Sequence, residues 1–326
     1  MSLIILSRKI IEPSRELVTH SQVSGKFIAR LWNPQQGVKM VVETPNMVLN
    51  GGLDRLAQAS TSPETVEYCQ IGTNSAAVVA TQSALSTYLA SSNTVLGTPT
   101  NTYVVGPPDY IQRIKTLRFA AGVGTGNLAE VGVGWGASGS TLFSRALFVD
   151  GLGSPIIIPK TSIDILDISY VLRVYPLLLD TIGMITISGT SYAYTIRAAN
   201  VTNVSGPHSA EAYSYGYSYN QSESNTYQAP AYTTDLVTRS TQIFEPTNIN
   251  AYVSNSQTRA TYTGGNFYRD VTAVWGIDRA NFSIKRVAFG QVWGYAAYQC
   301  AFGTPIVKNN TQSLSLTFRQ SWSRRP

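Results

Sequence analysis

The run SIDILDISYVLRVY, Ser162 to Tyr175, alternates with a period of two: Leu166, Ile168, Tyr170, Leu172 and Val174 share one face, while Asp167, Ser169 and Arg173 take the other. That is the repeat of a pleated strand with one buried side, and it implies an antiparallel sheet, since strands of a helix-covered parallel sheet read as continuous apolar runs. SLSLTFRQSW repeats the pattern, with Leu314, Leu316, Phe318 and Trp322 on one face. In MITISGTSYAYTI two β-rich runs flank Gly189-Thr190, and glycine in the first central place predicts a hairpin with a type II′ turn. TLFSRALFV reads as a strand ending in the turn chemistry of DGLGSP. One stretch favours a helix: Asn50 as N-cap before GGLDRLAQAS, with Leu53, Leu56 and Ala57 at helical spacing. The expected fold class is all-β, mainly antiparallel and sandwich or barrel-like, with one short helix near residues 50–60.

At 326 residues the chain can bury a sizeable core without a metal or disulfides. The expected division is a main β-domain over residues 1–200, a Tyr/Ser/Asn-rich loop or hairpin region over 201–240, and a C-terminal β region over 241–326 that can pack into the same domain. Loops are expected at Thr73 to Thr100 and Asn200 to Pro230. Charged residues are only 13% of the chain, against 19 tyrosines and many Ser, Thr, Asn and Gln. Contact surfaces are where charge is depleted and tyrosine enriched, so this balance points to a subunit of an assembly. Cys69 and Cys300 have no metal or disulfide spacing and read as core thiols. The most apolar window, VLRVYPLLLDTIGMITISG, is interrupted by Arg173, Pro176, Asp180 and Gly183, which argues against membrane insertion.

Seven glycines crowd into AGVGTGNLAEVGVGWGASGS, Ala121 to Ser140. Gly124-x-Gly126-x-x-Ala129 fits a dinucleotide fingerprint in letters, but the fingerprint needs a helix next, and EVGVGWGASGS is a poor helix at about 1 kcal/mol lost per interior glycine. The better reading is strand, turn, strand, with Gly132, Gly134 and Gly136 on one bare face that lets a backbone or ring approach closely, either within the chain or at a subunit axis. No P-loop, no G-x-S-x-G elbow and no paired-carboxylate spacing is present, and a Ser-His-Asp site would need His20 or His208, the latter in a polar loop. Neither catalysis nor a cofactor or metal is expected.

Eight basic residues from Arg269 to Arg325 face only Asp270 and Asp278, so the segment from Phe267 onward holds the whole surplus of +6. Nucleic acid is not the expected partner, because the cations are not clustered among stacking aromatics. In YSYGYSYN, Tyr213, Tyr215, Tyr217 and Tyr219 alternate with small residues, which suits packing against the body or a neighbouring subunit, or recognition of a carbohydrate or protein.

NMVLNGGLDRLAQ, EYCQIGT, LRFAAGVGTGNLAEVGVGW, LFSRALFVDGLGSP, LDISYVLRVYP, GTSYAYTIRAANV and TQSLSLTFRQSWSR, in that order, resemble a family of virion proteins of tailed bacteriophages and prophages, described as tail, tail-fibre or minor structural proteins. The resemblance runs from about Gly25 to Arg324. It implies a β-rich, non-enzymatic part of the particle, a homotrimer in contact with other virion proteins, made in the bacterial cytoplasm and carried in the virion. A receptor-binding module for a surface glycan or pilus, and a head decoration protein, are the alternatives. The family has no catalytic motif to carry over.

Overall fold

The alternating runs do become strands. A computed structural model describes residues 9–11, 17–57, 65–199, 229–239, 254–290 and 296–325. In chain order the elements are β1 (Lys9–Ile11), β2 (Leu17–Asn33), β3 (Gly37–Pro45), β4 (Met47–Val48), α1 (Asn50–Ala57), β5 (Tyr68–Gly72), β6 (Tyr88–Ser92), β7 (Thr100–Val104), β8 (Tyr110–Phe119), β9 (Gly126–Leu128) and β10 (Glu130–Gly134). They continue with β11 (Leu142–Leu147), β12 (Ile158–Lys160), β13 (Ile165–Pro176), β14 (Thr181–Ile187), β15 (Thr190–Ala198), β16 (Ala231–Tyr232), β17 (Ser256–Arg259), β18 (Tyr268–Trp275), β19 (Ser283–Gly290), β20 (Ala296–Val307) and β21 (Gln312–Arg324). The fold is all-β, with α1 the one helix among the described residues.

Nine strands form the largest sheet, in the order β17-β18-β21-β2-β13-β8-β7, with β1 beside β21 and β3 beside β2. Its centre is β2, which pairs antiparallel with β13 along one edge and divides the other edge between β21, in parallel, and β3, antiparallel. The inward face of β13 is the predicted one: Leu166, Ile168, Tyr170, Leu172 and Val174 are all buried. Leu314, Leu316, Phe318 and Trp322 of β21 are buried as well, and Gln320 shares their face. Residues from the first and last parts of the chain thus sit side by side in one sheet. A second sheet, β14-β15-β20-β19-β16, antiparallel throughout, is also completed by C-terminal strands, and both contribute to one hydrophobic core.

The third sheet, β4-β11-β10-β5-β6, is buried on both faces at its middle, where every residue of β10 is inaccessible. One side is covered by α1, whose Gly52, Leu53, Leu56 and Ala57 are buried. The other is covered by the connection between β5 and β6, held down by an ion pair without solvent contact: Arg145 and Glu130 side chains are both 0% exposed, with Nη2 to Oε2 at 2.7 Å. Glu130 accepts the amides of Ser86 and Thr87, and Arg145 donates to the carbonyls of Ala76 and Ala77, to Gln82 Oε1 and to Ser86 Oγ. Every lone pair and proton the pair offers towards that connection is used, which is the condition under which buried charge is tolerated.

The glycine-rich strand is β10, with β5 on one edge and β11 on the other. A Cβ at Gly134 would lie 1.8 Å from the Thr141 carbonyl oxygen, and one at Gly132 would lie 2.8 Å from Leu142 Cδ2. The half-buried Gly136 would meet the Thr141 side chain at 2.7 Å. The backbone brought close to these glycines is therefore the chain's own β11 and the turn before it.

Two expectations need correction. The β14–β15 hairpin closes with Ile187 opposite Thr190, so its central residues are Ser188 and Gly189, not Gly189 and Thr190. Both have positive φ, 47° and 81°, the type I′ pattern, whose twist suits the flanking strands. The stretch Thr73 to Thr100 is not all loop: β6 lies within it and pairs with β5, its small and hydroxyl side chains fitting a half-exposed edge strand.

Arg145→Met, which leaves the Glu130 charge buried and unpaired, is expected to cost about 3–5 kcal/mol in urea unfolding, whereas Lys26→Ala, which removes the exposed Lys26–Glu43 pair, should cost under about 1 kcal/mol. Gly134→Ala is expected to destabilise by about 1–3 kcal/mol through overpacking against backbone. Gly151→Ala, where a Cβ meets nothing within 4 Å, should be near neutral in the same assay.

Candidate functional site

The face of the nine-stranded sheet that points away from the core is built from the polar half of each alternation. Register lines these residues up: Tyr175 stands opposite Gln22, Arg173 opposite Ser24 and Gln112, Val171 opposite Lys26 and Ile114, Ser169 opposite Ile28 and Thr116, and Asp167 opposite Arg30 and Arg118. Nearly all are half-buried, which makes a flat platform of held side chains.

Arginine–aromatic stacks mark both ends of this platform. At one end Arg118 lies 5.3 Å and Arg30 5.9 Å from the Trp32 ring centre. Asp167 satisfies that end, receiving both Nε and Nη2 of Arg118, at 2.7 and 2.9 Å, and Nε1 of Trp32 at 3.0 Å. At the other end Arg173 sits 4.8 Å over Tyr110, Arg325 sits 4.2 Å over Tyr175, and the two rings are 5.4 Å apart at 50°. Ser24 Oγ donates to the Tyr175 hydroxyl and Arg325 Nη1 to Gln22 Oε1. Among the described residues no carboxylate pairs with Arg173 or Arg325, and Arg173 Nε has no hydrogen-bond partner. The Nε of Arg173 is enclosed, which leaves its terminal Nη groups for a planar oxyanion, and Arg325 keeps donors beyond the Nη1 that Gln22 takes. Arg319 over Tyr268, at 3.9 Å, is by contrast clamped by Asp270.

The sequence-level candidates fall elsewhere. Gly132 and Gly134 are interior, and Gly136 packs on Thr141. Tyr213, Tyr215, Tyr217 and Tyr219, with His208, lie outside the described residues. Gly126 opens β9 and is followed by β10, so strand stands where a dinucleotide site needs a helix. Cys69 and Cys300 are free and buried, and burial pushes both thiols up, away from the reactive thiolate. His20 lies between β2 and β21, its Nδ1 2.8 Å from Ser321 Oγ and its Nε2 3.0 Å from Ser323 Oγ. No group of three potential metal ligands occurs among the described residues.

The basic surplus of the C-terminal segment is largely turned inward. Lys308 donates to the carbonyls of Arg279 and Asn309 and to Asn281 Oδ1. Arg269 reaches the Ala57 carbonyl, Arg324 the Val48 carbonyl and Asn50 Oδ1, and Arg286 reaches Gln299 Oε1 and Thr234 Oγ1. Arg325 is the one that faces the platform. No sequence signal announced that end of the sheet, because Tyr110, Tyr175, Arg173 and Arg325 come together only through the register of β8, β13 and β2.

Burial lowers the His20 imidazole below its ordinary 6.5, so it is neutral at pH 7. A lowered histidine contributes stability that is complete above about pH 6.5 and is lost as pH falls through the folded value. Melting temperatures measured from about pH 7.5 down to 5 are expected to fall, and to fall less in His20→Gln. No known protein family, curated protein or solved structure matches the chain.

Proposed function

We propose that this chain is a non-enzymatic structural protein of a tailed-bacteriophage particle, a homotrimeric component of the tail, neck or fibre that builds or anchors an appendage. It is made in the bacterial cytoplasm, and its partners are further copies of itself and neighbouring virion proteins. The observation that supports this reading best is where the family-like phrases fall. They cover β4 with α1, β5, the run from the end of β8 through β10, β11, β13, β15 and β21. Those are the helix, the sheet around the buried ion pair, central strands of the large sheet and one strand of the β14–β16 sheet, so the likeness lies in the framework and not in scattered loops.

An exposed apolar edge fits a subunit role. Strand β14, TIGMITI, has no charged residue and among the described residues pairs on one side only, with β15. Its Ile182 and Met184 are 78% and 54% exposed, and Leu179 just before them is exposed too. Free soluble monomers guard such edges with lysine, proline or a bulge, so an unguarded one suits burial against another subunit.

Light scattering of the purified chain at two concentrations differing about tenfold tests the reading. The expected mass is that of a trimer at both, with Ile182→Lys shifting it towards monomer while the circular dichroism spectrum is kept. The chain should also be found by mass spectrometry in purified particles. A concentration-independent monomer that is absent from particles would overturn the proposal.

A further inference from the structure

The geometry points to the Arg173–Tyr110–Tyr175–Arg325 end of the sheet face as a binding site for a carboxylate-bearing polysaccharide. Two stacked guanidiniums lie on neighbouring rings 5.4 Å apart, and neither has a carboxylate partner among the described residues. The opposite end of the same face has Asp167 on Arg118, so an acid was placed where the arginine serves the fold and none where these two stand. Burying guanidinium against a ring without a counter-ion is costly to leave unanswered, and a planar anion with two oxygens matches the fork geometry. Beside them the Gln22 amide keeps its N–H donors and the Ser24 hydroxyl, whose proton goes to Tyr175, keeps acceptor capacity, which suits a ligand rich in hydroxyls.

The same geometry disfavours other anions. A nucleic acid strand asks for many cations along its backbone, and among the described residues only these two face outward without a carboxylate at this end. An extended acidic peptide that binds by adding a strand finds no edge here, because β2, β13 and β8 are interior strands with both edges paired at this position. A chain of uronic acids needs neither a free edge nor a deep groove, only a flat platform with aromatic rings, amides and a place for its carboxylates.

The inference rests on the proposed role in a particle that meets a bacterial surface, and its test is separate from the mass and particle measurements above. Binding of the full chain to immobilised polygalacturonate is compared with binding to its carboxyl-reduced form and to dextran sulfate. Retention on polygalacturonate alone is expected, with Arg173→Ala and Arg325→Ala each weakening it about tenfold. Arg325→Lys, which keeps the charge and loses the fork, should weaken it as well, and Arg30→Ala should leave it unchanged. Unaltered melting temperatures confirm that each variant is folded. Absence of binding to polygalacturonate, equal binding to the reduced form or to dextran sulfate, or equal loss in Arg30→Ala would overturn the site. A trimer incorporated into particles that fails these tests leaves the structural role standing.

Discussion

Everything in the large sheet depends on one exchange of partners along β2. Its first residues, Leu17 to Val23, run parallel to Phe318 to Arg324, and Lys26 to Asn33 run antiparallel to β3, on the same edge. Two different ladders meet on this edge, and the polar groups of the backbone between them are still met. Gly25 stands at that point, where a Cβ would lie 2.8 Å from the Val171 carbonyl oxygen and 2.9 Å from the Tyr170 hydroxyl. The ladder is closed on either side by Arg325 N to Val23 O and Asn46 N to Gly25 O. Unbroken pairing of β13 along the other edge, from Ser21 to Trp32, keeps the strand in one piece through the exchange.

A second theme is how a chain with so little charge uses it. Cations here go to main-chain carbonyls as well as to acids. Lys115 meets Val66 O, Lys160 meets Ala120 O and Asp164 O, and Lys308 meets Arg279 O and Asn309 O. Each fixes a connection between strands through its main-chain carbonyls. Burial lowers the Lys160 and Lys308 ammonium groups, in keeping with their enclosure. Asp164 is the acidic counterpart: burial works against its charge, yet hydrogen bonds from Thr161, Lys39 and Asn33 hold the carboxyl well below the usual range.

Much of the framework was legible in the sequence, and the reason is burial on one face. Where a strand has one wet side, as β13 and β21 do, alternation records it residue by residue. The helix at Asn50 and the packing role of the glycine strand were legible for the same kind of local reason. The hairpin turn was misjudged because register decides which two residues are central, and register is set by pairing along the whole of β14 and β15. Strand β6 was hidden because Tyr88 to Ser92 has little apolar periodicity. The platform was invisible for a stronger reason: Arg173 looks like any solvated alternate in its own strand, and only three-dimensional register sets it beside Tyr110 while Arg325, 152 positions later, arrives over Tyr175.

The parallel pairing of β2 with β21 also has a consequence in time. Residues 17–23 are made about three hundred residues before 318–324, so β2 waits through that whole interval with half of one edge bare. Closing a loop of about three hundred residues costs little more entropy than closing half of one, since the cost grows only with the logarithm of length. The difficulty is kinetic: a ribosome adding 5–20 residues per second, as is typical, leaves that edge open for roughly 15–60 seconds. Chains stopped before β21 would present an unpaired strand edge to one another, so the fidelity of completing each chain bears on how much of this protein reaches the folded state.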